Sequence, residues 1–288
     1  MRRTGLTWSE GSKMSEILER PKDVPVRAAK PRRADGDLVQ SLMRALSLME
    51  ILSEKGCRLT ELSQRAKLPP STTHRLLTTL EQKRFVRFNR EESVWTIGSQ
   101  CFAIGAGFLR RQDFMTEAVP RIEGLASRLG ATVNLGVLEN GNLLLVKQAS
   151  NTPMSPAQPP GSALPLHATA MGKILLANSA DTSQIGRYMS GGLPRLTDRT
   201  ICEPSTFAKE LQTIRQDGIA VDHEESMAGR RCIAAPLHNE LGHCIAAISV
   251  TATRSQMTDT TVARLSALLS ATAAEITRAS GGYGGRPL

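Results

Sequence analysis

The sequence predicts an α+β protein of two domains: a small one of three helices and a β-hairpin, then a larger one built on an antiparallel sheet. Three observations carry this. Between residues 39 and 97, three helix-like stretches lead straight into two short strand-like runs. Beyond residue 130, strand-like runs pair around tight turns. The charge is also unevenly placed. Residues 1–37 carry nine Lys/Arg against six Asp/Glu, residues 38–111 twelve against six, and the rest fifteen against fifteen. The whole excess of +9 therefore lies in the first 111 residues, as expected of a polyanion-binding module joined to a neutral domain with another task. A chain of 288 residues suffices for two hydrophobic cores.

Composition narrows the class. No apolar run approaches the ~20 residues that span a bilayer, and the N-terminus lacks an apolar signal region. The five cysteines are an odd number without a Cys-x-x-Cys pair, which argues against a disulfide framework. These features predict a soluble cytoplasmic protein with no membrane partner.

Residues 1–37 mix Pro21, Pro25 and Pro31 with charges and show no apolar period, so they read as a disordered basic arm. Met14 is an alternative start. Residues 38–98 form the first domain. Val39, Leu42, Met43, Leu46 and Met49 mark one face of a helix ending near Gly56. A second helix follows in TELSQRA with Thr60 as its N-cap. The LPP at 68–70 interrupts it, because a residue before proline is pushed out of the α region. Ser71 caps a third helix with Leu76, Leu77 and Leu80 inward, and strands follow around FVRF and VWTI. This order is a winged helix-turn-helix.

Its third helix presents Ser71, Thr72, Thr73, His74 and Arg75 at its start, where a recognition helix meets double-stranded DNA. Hydroxyls and free N–H groups there suit phosphate oxygens, and Arg75 can pair with guanine. Thr60 joins this surface from the second helix, and Arg87 and Arg90 lie on the hairpin, within reach of flanking backbone. The alternative is a capped helix with a merely solvated face.

Residues 99–112, SQCFAIGAGFLRRQ, read as a linker helix whose Ala103, Gly105, Ala106 and Gly107 permit close packing of a second copy. Residues 113–279 form the second domain. TEAVPRIEGLASRLG is a helix with Pro120 near its first turn and Gly130 at its end. TVNLGVL and LLLVKQA are strands around Asn140-Gly141, a pair that favours a tight hairpin. HATAMGKILLA and PSTFAKELQTIRQDG are helices, RCIAAPL and CIAAISVTA a second hairpin, and TTVARLSALLSATAAEI a final helix. Residues 280–288 read as a flexible tail.

VQSLMRALSLMEIL, LPPSTTHRLLTTLEQKRFVR, LPLHATAMGK, GIAVDHEESMAGRRCIAAPL and AAISVTATRSQMT, in this order, together resemble the IclR family of bacterial transcriptional regulators over roughly residues 38–279. STTHRLLTTLEQKRFVR followed by WTIG is similar to the acetate-operon (glyoxylate-bypass) repressor branch. The resemblance implies a GAF-like or profilin-like effector domain, a linker helix used in dimerisation, and operator binding as a dimer or dimer of dimers. It also implies control by a small carboxylic acid, with no cofactor. Carried over by motif, the effector residues are Thr169, Ala170, Met171, Asp222, Cys232, Ser249, Val250 and Thr251. The chemistry is sound in its own right: a helix start offers N–H groups to a carboxylate. Ser249 and Thr251, two apart on a strand, share a face, and Asp222 can accept a hydrogen bond from a ligand hydroxyl. The chain departs from the family at Ala170-Met171, where relatives have glycine-alanine, and in the four-proline loop NTPMSPAQPPGS.

Three other readings compete. An activator of an aromatic or sugar-acid catabolic operon would share this architecture. A cysteine-dependent enzyme would assemble Cys232, His167 and Asp222, although a cysteine in an apolar strand is more often inert. A metal site would draw on His238, His243 and Cys244 with Cys202, His223 and Cys232, but their spacing fits no structural zinc pattern.

Overall fold

A computed structural model describes residues 38–110, 113–150, 158–179 and 181–283. The expected basic arm (1–37), most of the proline loop (151–157) and the last five residues of the expected tail lie outside them.

Helices α1 (Gln40–Glu54), α2 (Leu59–Arg65) and α3 (Pro70–Gln82) precede the antiparallel hairpin β1 (Val86–Asn89) and β2 (Val94–Ile97). Leu48, Leu52, Cys57, Leu62, Leu77, Val86 and Trp95 form their common core. Cys57 bridges to Trp95 by a pair of backbone hydrogen bonds and ties the α1–α2 connection to the hairpin.

Three local expectations are corrected here. The face of α1 read from Val39 to Met49 is largely exposed, with Val39 64% and Leu42 57% accessible. Leu48 and Leu52 are buried instead, because α3 and β2 pack against α1 on that side. Thr60 is not the cap of α2, whose N-cap is Arg58. Ser71 is not the cap of α3, whose N-cap is Pro69. Pro70 sits at the first helical position, where its missing N–H costs nothing and its fixed φ already suits a helix, so α3 starts two residues earlier.

The linker helix α4 (Ser99–Arg110) has no buried residue, and Phe102 and Ile104 stand exposed on it. Helix α5 (Phe114–Leu129) begins before the expected stretch, which places Pro120 inside the helix rather than near its first turn. Gly130 ends α5 at φ 58°, a left-handed cap that glycine adopts without strain.

The second domain is a six-stranded antiparallel sheet in the order β5-β4-β3-β8-β7-β6. The strands are β3 (Thr132–Glu139), β4 (Asn142–Ala149), β5 (Ala163–Leu164), β6 (Ala220–His223), β7 (Arg230–His238) and β8 (Cys244–Thr253). Helices α5 and α9 (Asp259–Ala279) cover one face, over Val133, Leu135, Ile233, Ala235, Ile248 and Val250. Helices α6 (Ala170–Ala177) and α8 (Pro204–Asp217) cover the other, over Leu143, Leu145, Ala220, Ala234 and Ala247. Strands β5 and β6 and helix α7 (Thr182–Met189) were not anticipated from the sequence.

Candidate DNA-binding and effector sites

The α3 surface is only partly the expected one. Ser71, His74 and Arg75 are exposed and Thr72 is half-buried. Thr73 is fully buried, and its hydroxyl donates to the Pro69 carbonyl at 3.1 Å. It therefore cannot meet DNA, because it lies on the face that α3 turns to its own domain. Thr60, Arg87 and Arg90 are exposed. A cleft between the start of α2, α3 and the hairpin is lined by Arg58, Thr60, His74, Thr78 and Arg90 among others. Arg58 was missed from sequence; its position directly before TELSQRA was the available signal.

In the second domain a row of polar side chains crosses the sheet under α6. Strand register places Gln148 opposite Asn134, Asn134 opposite Ser249, Thr251 opposite Cys232, and Cys232 opposite Asp222. Ser249 and Thr251 alternate with Val250 and share a face with Ala247, which packs towards α6. Val250, also among the expected effector residues, points its side chain the other way, into the α5–α9 core, and so does not join the row. Asn134 Nδ2 donates to Ser249 Oγ at 3.4 Å and to Thr251 Oγ1 at 3.3 Å. The Thr251 hydroxyl donates to Cys232 Sγ at 3.2 Å. Burial pushes the Cys232 thiol up to about 11.

Helix α6 begins over this row. Thr169 is its N-cap: its hydroxyl oxygen accepts from the Gly172 N–H at 3.2 Å and its proton goes to the Pro165 carbonyl at 2.8 Å. Ala170 and Met171 are buried in the first turn, where helix N–H groups lack intrahelical partners. Two glycines make this fit possible. A Cβ on Gly172 would lie 2.4 Å from the Leu166 carbonyl oxygen, and one on Gly136 2.5 Å from Leu143 Cδ1 and 3.5 Å from Met171 Sδ. The Met171 side chain thus lies against the sheet at Gly136.

Asp222 does less for a ligand than its position suggested. Its Oδ1 accepts from the Glu225 N–H at 2.6 Å and the Ser226 N–H at 3.3 Å, and its Oδ2 from the Ser226 hydroxyl. It closes the turn after β6. Burial nevertheless raises its pKa above the usual carboxylate range.

Behind the row lies a charge cluster that sequence reasoning missed. Lys173 Nζ, fully buried, donates to Glu225 Oε1 (2.7 Å), Glu210 Oε1 (2.9 Å) and the Val221 carbonyl (2.6 Å). Burial opposes its charge, but the two carboxylates outweigh it and hold the ammonium above its usual range. Burial pushes Glu225 up to about 6.

The enzyme reading fails on this geometry. The Cys232 thiol stays protonated at neutral pH. His167 is buried with both ring nitrogens engaged, Nε2 by the Pro194 carbonyl and Nδ1 by the Tyr188 hydroxyl, each at 2.9 Å. The carbonyl accepts only, so Nε2 carries the proton and Tyr188 donates to Nδ1. Burial lowers the imidazole pKa and keeps it neutral. Among the described residues no three His, Cys, Asp or Glu side chains converge as a metal site would require.

An exposed, arginine-bearing winged helix joined by a helix to a domain with a polar seat under α6 defines a two-domain DNA-binding regulator with an effector domain. Comparison with known proteins agrees. Residues 41–90 match the IclR helix-turn-helix domain, and residues 106–278 match the family described as bacterial transcriptional regulator IclR C-terminal. The chain is 36% identical over 249 residues to the transcriptional repressor IclR of Escherichia coli, covering 85% of this chain and 91% of that one. The same figures hold for the acetate operon repressor of Salmonella typhimurium. An IclR homologue of Microbacterium hydrocarbonoxydans, solved with 4-hydroxybenzoate, has the same fold, with a TM-score of 0.73, 24% identity, and coverage of 83% of this chain and 99% of that one. The chain belongs to the IclR family of transcriptional regulators.

Proposed function

We propose that this protein represses a carboxylate-catabolism operon and that a small organic acid, seated between the start of α6 and the polar row, changes its operator affinity. The observation that carries this is the row itself. Asn134, Ser249, Thr251 and Cys232 form one hydrogen-bonded row beside a largely apolar layer, where a polar group is costly unless it is hydrogen-bonded. Backbone N–H groups at Thr169–Met171 supply donors for the carboxylate, and Ser249–Thr251 form the floor beneath them, Val250 contributing only its place in the strand. Cys232 borders the seat, and Asp222 holds its rim. The repressor role is supported by the relatives named as repressors, and the acid by the donor chemistry of the seat.

On the DNA side, Ser71, Thr72, His74 and Arg75 of α3, with Thr60, Arg58, Arg87 and Arg90, form the operator surface. The active unit is a dimer, or a dimer of dimers, joined through exposed apolar side chains such as Leu42, Leu46 and Phe102. In this reading the working units are residues 38–98 for DNA, 99–112 as linker and 113–279 for the effector. No described helix is long and apolar enough to cross a membrane.

The test is an anisotropy titration against DNA from upstream of the protein's own gene and its neighbours, with and without glyoxylate, pyruvate and protocatechuate. Salt-dependent binding that one acid weakens supports the reading. Binding that ignores every acid would remove the effector assignment, and an operator placed upstream of the promoter rather than over it would favour activation.

A further inference from the structure

Resting on the reading that places Arg87 and Arg90 of the hairpin on the operator surface, we propose that Glu81 is a positioning residue for DNA recognition. Its carboxylate latches β1 to α3 and so sets where the hairpin arginines stand relative to the recognition helix. Glu81 was not among the residues that the sequence suggested, and an acid beside a surface meant for phosphates calls for a reason to be there.

Backbone pairing leaves β1 with a donor to satisfy. Phe88 stands opposite Trp95 in the hairpin. Trp95 donates its N–H to the Cys57 carbonyl at 2.8 Å and accepts from the Cys57 N–H at 3.0 Å, both on the side away from β1. Phe88 and Trp95 are therefore a non-hydrogen-bonded pair of the antiparallel ladder, in keeping with ring centroids 5.0 Å apart. The Phe88 N–H thus points out from the free edge of β1, and Glu81 Oε1 accepts it at 3.2 Å. The hydroxyls of Thr73, Thr78 and Thr79 each bond the carbonyl four residues back instead, so Glu81 is the polar side chain of α3 that reaches the hairpin.

The hairpin is then held along both edges. Cys57 ties β2 to the α1–α2 connection, and Glu81 ties β1 to α3. Glu81 lines the same cleft as Arg58, His74, Thr78 and Arg90. His74, Thr78 and Glu81 fall at i, i+4 and i+7, on one side of α3. Arg90 is exposed and follows β1 by one residue, so it inherits its position from the strand that Glu81 holds. Charge alone predicts the opposite of positioning. Removing a carboxylate beside phosphate-binding arginines should tighten DNA binding, whereas removing a latch should weaken operator binding.

The test compares Glu81→Gln and Glu81→Ala in the full chain, each with and without Arg90→Ala. Competition anisotropy reads affinity for the upstream DNA fragment that the wild type binds and for a scrambled duplex of the same length, with the thermal melt alongside. Glutamine keeps an acceptor oxygen for the Phe88 N–H and loses the charge, so Glu81→Gln should bind the fragment at least as tightly as wild type. Glu81→Ala loses both and should bind the fragment about fivefold less tightly, yet the scrambled duplex no less tightly. Arg90→Ala should weaken fragment binding about tenfold in the wild-type and glutamine backgrounds and less than about threefold in the alanine background. Equal shifts in Glu81→Gln and Glu81→Ala, or an Arg90→Ala effect that is the same in every background, overturn the latch and leave the hairpin on the operator surface. An Arg90→Ala variant that binds as the wild type does removes Arg90 from that surface, and the positioning role falls with it. Glu81 is exposed, so both variants should fold. Should Glu81→Ala melt early, Glu81→Met keeps the stem, loses the acceptor and decides in its place.

Discussion

Individual side chains divide sharply between those that face solvent or ligand and those that hold the frame. Arg75 is exposed at the start of α3, so Arg75→Ala should weaken specific operator binding by about 1–3 kcal/mol, measured by competition anisotropy. Two residues earlier, Thr73→Val should leave operator affinity unchanged and lower the winged helix's stability by about 1 kcal/mol, because it removes a buried bond to the Pro69 carbonyl. Loss of operator affinity without loss of stability would return Thr73 to the DNA surface. Glu225 gives a pH signature. Its folded pKa, about 6, lies above the ordinary 4.5, so it binds its proton more tightly when folded. The stability this confers is complete below about pH 4.5 and is lost as pH rises through about 6. Glu225→Gln should flatten that part of the urea-midpoint profile. An unaltered profile would place the titration elsewhere.

At the scale of elements, α6 depends on close approach. Gly172→Ala would drive a methyl group into the Leu166 carbonyl, and loss of the folded effector domain by circular dichroism is the expected outcome. Helices α1 and α4 show the opposite condition. Their Leu42, Leu46, Phe102 and Ile104 stay exposed among the described residues, so aspartate at Leu42 and Phe102 should shift sedimentation towards monomer and weaken operator binding in step. Unchanged mass would separate these faces from self-association. The main elements were legible because their signals are local: Asn140-Gly141 for a hairpin and Gly218 at φ 72° for the end of α8. Strand β6 was not, since its four residues AVDH run into the turn that Asp222 caps. Helix α7 was not either, since Thr182, Ser183 and Gly186 are weak helix formers within its short span.

Across the whole molecule, charge and chemistry are divided between the domains. The described basic residues of the winged helix should govern salt dependence. Replacing Arg58, Arg87 and Arg90 together with alanine should reduce the slope of log affinity against log salt by roughly one for each phosphate no longer neutralised, with acid binding unaffected. A changed acid affinity would show that the two domains are read together rather than separately.

The sequence by itself determined the order of elements, the placement of the charge excess before residue 112 and the membership suggested by five ordered motifs, because periodicity, turn residues and composition act over short stretches. Only the tertiary structure decided which side chains meet. It turned Thr73 and Val250 inward, set Asp222 to closing a turn, paired Lys173 with Glu225 across 52 residues and joined Asn134 to Ser249 across the sheet. Helix packing and strand register create those contacts, and both are properties of chain segments that sequence order keeps far apart.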